Sequence, residues 1–202
     1  MTSLPPGIAE AMAPFPVHRF SVQEYHRLAE SGILHEDDEV ELLQGWLVPK
    51  MTKNPRHDAT ITRVERVLRN LLPSGWMLRI QSAITTADSE PEPDLAIVRE
   101  REDDYAASHP TPADIGLIIE IADTSLGRDR QKASIYAAAG IAEYWIVNIQ
   151  QNLVERYSEP DDSDSAGYLR VTQVTLDQQI PLCLDGKTLG DLAVKRLIPS
   201  VG

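Results

Sequence analysis

Apolar positions recur along this chain in two rhythms, and the switches between them mark out its elements. Ser21 and Glu24 form an S-x-x-E capping pattern, after which Tyr25, Leu28 and Ala29 repeat at helical spacing until Gly32, predicting a short amphipathic helix. From Glu39 to Met51 two short alternating runs flank Gln44-Gly45, the pattern of a β-hairpin. Between Arg56 and Leu72, Ile61, Val64, Leu68, Leu71 and Leu72 share one face of a 3.6-residue repeat that Pro73 ends, predicting a long helix. Strands are predicted over 77–85, 94–98 and 115–122, with the acidic stretch 99–113 as an exposed loop.

The run over 115–122 is almost wholly apolar, as in a central strand covered on both faces, so helices should pack on each side of the sheet. A helix over 128–139 closed by Gly140 and a strand over 143–149 then suggest a strand–helix–strand crossover. Further strands are expected over 153–157, 168–175 and 180–184, separated by a polar loop over 160–167, with a short helix near 189–193. Four prolines before residue 20 predict a loosely held N-terminal arm over 1–20, followed by one domain over 21–202. The fold class is therefore α/β (α+β), a mixed central sheet flanked by helices.

Composition narrows the partners. The 202 residues, 42% of them hydrophobic, suffice for one buried core. A single cysteine, Cys183, permits neither an internal disulfide nor a cysteine zinc cluster, and suits a reducing cytoplasm. The apolar runs are of strand length, far from the roughly 20 residues that cross a bilayer, so no membrane span is expected. Thirty-one acidic against nineteen basic residues give a net charge of −12, which repels a polyanion at long range. A divalent cation and a local basic strip would offset that repulsion. Phosphate-loop, dinucleotide, serine-hydrolase and zincin motifs are all missing, so no nucleotide cofactor is expected, and His18, His26, His35 and His109 lack ligand spacing.

The chemistry concentrates on two acids. Glu120 stands inside Gly-Leu-Ile-Ile-Glu-Ile-Ala, where an unpaired carboxylate would cost several kcal/mol, on the order of the burial penalty for any lone charge. It is either half of a structural ion pair or a metal ligand or base. Asp94 follows Pro93 at the head of an apolar strand, and alone would read as a turn residue. If the two strands are neighbours, Asp94 and Glu120 converge and offer the hard oxygen ligands that Mg²⁺ prefers, with the Ile121 carbonyl as a third. Mn²⁺ is a possible substitute.

Several segments together resemble the Uma-two family of restriction-endonuclease-like proteins, within the PD-(D/E)XK nuclease superfamily. They are Glu-Pro-Asp-Leu-Ala-Ile-Val at 92–98, Ile-Ile-Glu-Ile-Ala at 118–122, Asp129-Arg-Gln-Lys132, Tyr136, Gly140 and Glu143-Tyr-Trp-Ile-Val147, preceded by the segment at 40–48 and His57. The resemblance runs from about residue 21 to 157. It implies a restriction-endonuclease-like core with Asp94 and Glu120 as metal-binding acids. The lysine that the superfamily places two residues after the second acid is Ala122 here, and the resemblance assigns its role to Lys132 on the following helix. The alternative is a solvated lysine pairing with Asp129 at i, i+3. The resemblance also puts Glu41 near the metal, although strand alternation equally lets it face water.

Gln81 and His57 are secondary candidates, the first as a partner of the metal's surroundings, the second as a phosphate contact or a helix cap. Arg128, Arg130 and Lys132 on one helix, and Arg56, Arg63, Arg66 and Arg69 on the other, are available for phosphate contact or are solvated faces. The expectation is a Mg²⁺-dependent endonuclease acting on nucleic acid, most simply DNA, working as a homodimer through an interface at 144–147 or the C-terminal strands. The alternatives are a non-catalytic nucleic-acid or protein binding module, and a phosphodiesterase for RNA or branched substrates.

Overall fold

The structure is a computed structural model that describes residues 16–161 and 167–199. Most of the arm expected over 1–20 and of the loop expected over 160–167 lies outside the described residues.

A six-stranded sheet forms the centre, in the order β3-β4-β5-β6-β7-β8, from Trp76–Ile80, Leu95–Arg99, Ile115–Ala122, Glu143–Asn148, Leu153–Asp161 and Gly167–Thr175. Only β5 and β6 run parallel, and helix α3 (Leu126–Ala138) makes the crossover between them. The other neighbours are antiparallel, with Leu95 of β4 opposite Ile119 of β5. Strand alternation divides β5 between two faces. Leu117, Ile119 and Ile121 meet helix α2 (Pro55–Arg69) through Ile61, Val64, Val67 and Leu68. Ile118 and Ala122 turn to the opposite face, with Ala133 and Tyr136 of α3. Helices thus cover both sides of the sheet, as a fully buried strand requires.

Two of the three described α-helices start where the sequence supplies a side-chain cap. Helix α1 (Val22–Glu30) carries a complete capping box between Ser21 and Glu24. Asn54 caps α2, its side chain accepting the backbone N–H groups of Arg56 and His57, so the cap considered for His57 belongs to Asn54. Strands β1 (Val40–Leu43) and β2 (Trp46–Pro49) pair around Gln44-Gly45, whose φ values of 48° and 79° are those of a tight hairpin turn.

Two local expectations fail. The strand predicted over 77–85 stops at Ile80, because Gln81 takes φ 46° and the chain leaves the sheet. The helix predicted near 189–193 is instead strand β10 (Lys187–Ala193), paired with β9 (Gln179–Leu184). Asp185-Gly186, with φ of 50° and 69°, is the two-residue hairpin turn that the sequence signals and the helical pattern obscures. This hairpin closes the α2 face of the core through Ile180, Leu182, Leu184 and Leu192. Its close approach requires Gly116, where a Cβ would lie 2.7 Å from the side chains of Leu184 and Trp76.

The segment Tyr144–Val147 is buried inside the sheet and cannot form the interface considered for it. Exposed apolar side chains lie on the edge strand β8 instead, at Leu169 and Val171. No described helix is long and apolar enough to cross a membrane.

Candidate active site

Asp94 immediately precedes β4 and, by the antiparallel register, stands opposite Glu120 of β5. The backbone N–H of Asp94 donates to Glu120 Oε2 at 3.2 Å, and both residues line one cleft. Asp94 Oδ2 accepts the N–H of Ile121 at 2.8 Å and lies 3.1 Å from His57 Nε2. Among the described residues its Oδ1 has no hydrogen-bond partner. Because the N–H and C=O of a strand residue leave on the same edge, the Ile121 carbonyl faces the side on which Asp94 stands.

Glu120 Oε1 receives Lys132 Nζ at 3.1 Å and the Tyr136 hydroxyl at 3.2 Å. Lys132 also donates to Glu41 Oε2 at 3.0 Å, and the Glu92 N–H reaches the same oxygen. These groups are deeply placed: Asp94 is 8% exposed, Lys132 5%, Glu120 4% and Glu41 3%. Lys132 is therefore no solvated lysine. It pairs with Glu41 and Glu120, while Asp129 takes a hydrogen bond from Ser125. The water-facing alternative for Glu41 likewise fails, since it closes the lysine's other side. Glu120 has the basic partner of the structural reading, Lys132, and it also lines a cleft.

Asp94, Glu120, Lys132, Glu41, His57 and Gln81 all line that cleft, whose volume is about 70 Å³, room for a few waters or a hydrated cation. Gln81 sits at its rim, its N–H bound to the Asp94 carbonyl at 3.0 Å. The cleft was only partly legible. Asp129, Lys50 and Asn54 also line it, and Tyr136 supports Glu120 from behind. The i, i+3, i+7 spacing of Asp129, Lys132 and Tyr136 is the signal that could have shown them sharing one helix face. Most of the candidate phosphate-binding arginines lie elsewhere. Arg56 donates to the Ile149 carbonyl, Arg63 to that of Ile198, and Arg130 pairs with Glu155, leaving Arg128 and Lys132 in the cleft.

Four acids, Glu41, Asp94, Glu120 and Asp129, surround one lysine here. Burial pushes the Glu120 carboxyl up to about 8; Lys132 opposes this, while Asp94, Asp129 and Glu41 add to it. Burial likewise raises Asp129 to about 6, against the Ser125 hydrogen bond and Lys132. Burial disfavours the charge on Lys132, but Glu120 and Glu41 outweigh it and hold the ammonium above its ordinary value. For His57 the loss of solvent is outweighed by Asp94, and its pKa is raised. The site is short of positive charge.

That deficit bears on whether a cation fits. Among the described residues no three His, Cys, Asp or Glu side chains form a ready-made metal cluster. Mg²⁺ does not need one, since it is commonly held by one or two carboxylates and keeps several waters. Two carboxylates lining one cleft, one with an unpartnered oxygen, fit it.

The sequence pattern of a family described as "Putative restriction endonuclease", Uma-two, matches residues 22–191. The chain belongs to the Uma-two family. Its fold is shared with a crystal structure described as a putative nuclease belonging to DUF820 from Anabaena variabilis, with a TM-score of 0.68 over 88% of this chain and 97% of that one, at 15% identity. No curated protein matches the chain. Family and fold together are those of a nuclease, and the acidic cleft lies within the matched Uma-two segment.

Proposed function

We propose that this Uma-two protein is a Mg²⁺-dependent endonuclease that hydrolyses phosphodiester bonds in DNA. One observation carries the reading: Asp94 and Glu120 both line a cleft that also holds Lys132. Asp94, Glu120 and the Ile121 carbonyl are the groups that would hold the cation. When bound, it would polarise the phosphate and lower the pKa of an attacking water. Lys132, kept as ammonium by Glu41 and Glu120, cannot be the base that takes the water's proton; it stabilises the negative charge that develops on phosphorus. Glu41 positions the lysine, His57 and the Ile121 N–H fix Asp94 Oδ2, and Tyr136 fixes Glu120 Oε1.

Nicking of supercoiled plasmid in Mg²⁺ or Mn²⁺ tests this. Asp94→Ala and Glu120→Ala are each expected to lower the rate by roughly 10²–10³-fold or more, the scale of losing a principal electrostatic contact. Cleavage that survives both substitutions belongs to a contaminant and removes the proposal. A Mn²⁺-soaked crystal should show anomalous signal between the two side chains. A folded protein that binds DNA yet never cleaves it would favour the binding-module alternative, which the net charge of −12 does not encourage. A homodimer is required only if both strands of a duplex are cut.

A further inference from the structure

Beyond the ion pair of Lys50 with Glu92 the cleft opens into a second, larger groove of about 1180 Å³, and Lys50, Gln81 and Glu92 line both. One wall is α1 with the start of the β1–β2 hairpin; the other is β3, the segment after it, and the 105–111 loop. The sequence scatters histidines without apparent spacing, but the fold gathers three of the chain's five here, His26, His35 and His109, beside Tyr25. Three of the five histidines on one groove is a concentration, and Tyr25 and Tyr105 add two of the six tyrosines.

Arg79 enters the groove from β3. Its guanidinium lies over the Tyr105 ring at 5.4 Å, which holds the 105–111 loop, yet among the described residues its only hydrogen bond is a long one of 3.4 Å to the Asp104 carbonyl. A planar fork of five donors with one weak bond made retains the capacity to take a phosphate. Two of the three acids in the walls are occupied, Glu90 by His26 at 2.8 Å and Thr85 at 2.7 Å and Glu92 by Lys50, while the third, Glu39, is exposed where the β1–β2 hairpin begins. Rings beside a cation are how proteins hold unstacked bases and their backbone. The volume is of ligand-pocket scale, enough for roughly two or three nucleotides and not for a double helix. A net charge of −12 also disfavours the broad electrostatic footprint that duplex binding uses.

We propose that this groove carries an unpaired stretch of the DNA strand beside the bond to be cut, with Arg79 on a phosphate and the rings of Tyr25, His26 and His109 against bases. The substrate is then a tailed, flapped or single-stranded DNA. This rests on the nuclease reading of the cleft for its chemistry, but the binding test does not.

Fluorescence anisotropy of the full chain in EDTA, where cleavage is suppressed, compares a labelled single strand, a duplex with a single-stranded tail, and the blunt duplex. The first two are expected to bind at least about tenfold more tightly than the third, given the strength of base–ring stacking. Arg79→Ala is expected to weaken single-strand binding roughly tenfold. Ala107→Arg, at an exposed position of the same groove, is expected to tighten it severalfold. Equal affinity for blunt duplex and single strand, or wild-type affinity in a folded Arg79→Ala protein, overturns the proposal. Should that variant not fold, wild-type affinity in Ala107→Arg overturns it instead. Metal-dependent cleavage abolished by Asp94→Ala, beside groove variants that bind normally, would sink the groove and leave the nuclease standing. Groove-dependent binding without cleavage in any divalent cation would do the reverse.

Discussion

The two faces of strand β5 are built from one octapeptide and serve opposite ends. Leu117, Ile119 and Ile121 pack into the apolar cluster on the α2 side, and burying each contributes roughly 1.5–3 kcal/mol. Glu120 points the other way, into a helix that buries Asp129, Lys132 and Tyr136 along with its alanines. There the protein accepts a charged, cation-poor cluster that an apolar core of the same volume would outcompete for stability. The α2 face holds the sheet together, and the α3 face forgoes stability to bring Asp94, Glu120 and Lys132 into one place.

Adjacent substitutions break that comparison most sharply. Ile119→Ala should cost about 2–5 kcal/mol of stability, read from urea midpoints, while cleavage per folded molecule changes by less than about threefold. Glu120→Ala, one residue on, should lower cleavage by the roughly 10²–10³-fold or more expected above. If Ile119→Ala removes activity as completely as Glu120→Ala in protein that remains folded, the division of labour between the faces is wrong.

The same division explains what was legible. The α2 face repeats apolar residues at regular helical spacing, so its helix and the wholly apolar β5 could be read directly, and neighbouring strands then brought Asp94 and Glu120 together. The pairing of Glu41 with Lys132 spans 91 residues. Nothing local in the hairpin segment distinguishes an acid facing water from one facing a lysine, because strand alternation permits both. Tyr136 hid for a related reason: on a helix that buries polar and apolar groups together, periodicity cannot separate a core tyrosine from a carboxylate's partner. The helix expected at 189–193 went wrong differently, since the Asp185-Gly186 turn determines the β9–β10 hairpin more strongly than Leu189, Leu192 and Ala193 determine a helix.

A smaller effect should appear in the pH dependence of the metal-free protein. Glu120 keeps its proton to about 8 in the fold but releases it near 4.5 when unfolded, so the unfolded state is favoured as pH rises between those values. Asp129, raised from 3.8 to about 6, acts in the same direction, and so does His57, whose raised pKa supplies stability below about 6.5 that is lost at higher pH. Glu155, lowered by Arg130 and Tyr157 despite its burial, has the opposite sign, but its contribution is complete once pH is well above 4.5. Between pH 5.5 and 8 in EDTA, stability is therefore expected to fall by on the order of 1–3 kcal/mol. Glu120→Gln should flatten the fall, whereas Ile119→Ala should shift the whole curve down without changing its slope. Stability that rises across this window would contradict the placement of a protonated acid beside Lys132.

The smallest effect concerns His57, which reaches the site from the first turn of α2, the helix whose Ile61, Val64 and Leu68 face the apolar core. Its ring holds Asp94 Oδ2 at 3.1 Å, and the Ile121 N–H holds the same oxygen at 2.8 Å, so losing the imidazole leaves Asp94 half restrained. Groups that orient a metal-binding carboxylate typically account for 10–100-fold in metal affinity. With one of two restraints retained, His57→Ala should raise the Mn²⁺ concentration for half-maximal cleavage by about tenfold, with saturating metal restoring most of the rate. The same change leaves substrate affinity in EDTA untouched if the ring serves Asp94. A histidine that instead contacts the phosphate gives the opposite split, weaker DNA binding at an unchanged metal requirement, and that result would move His57 from support of the carboxylate to contact with the substrate.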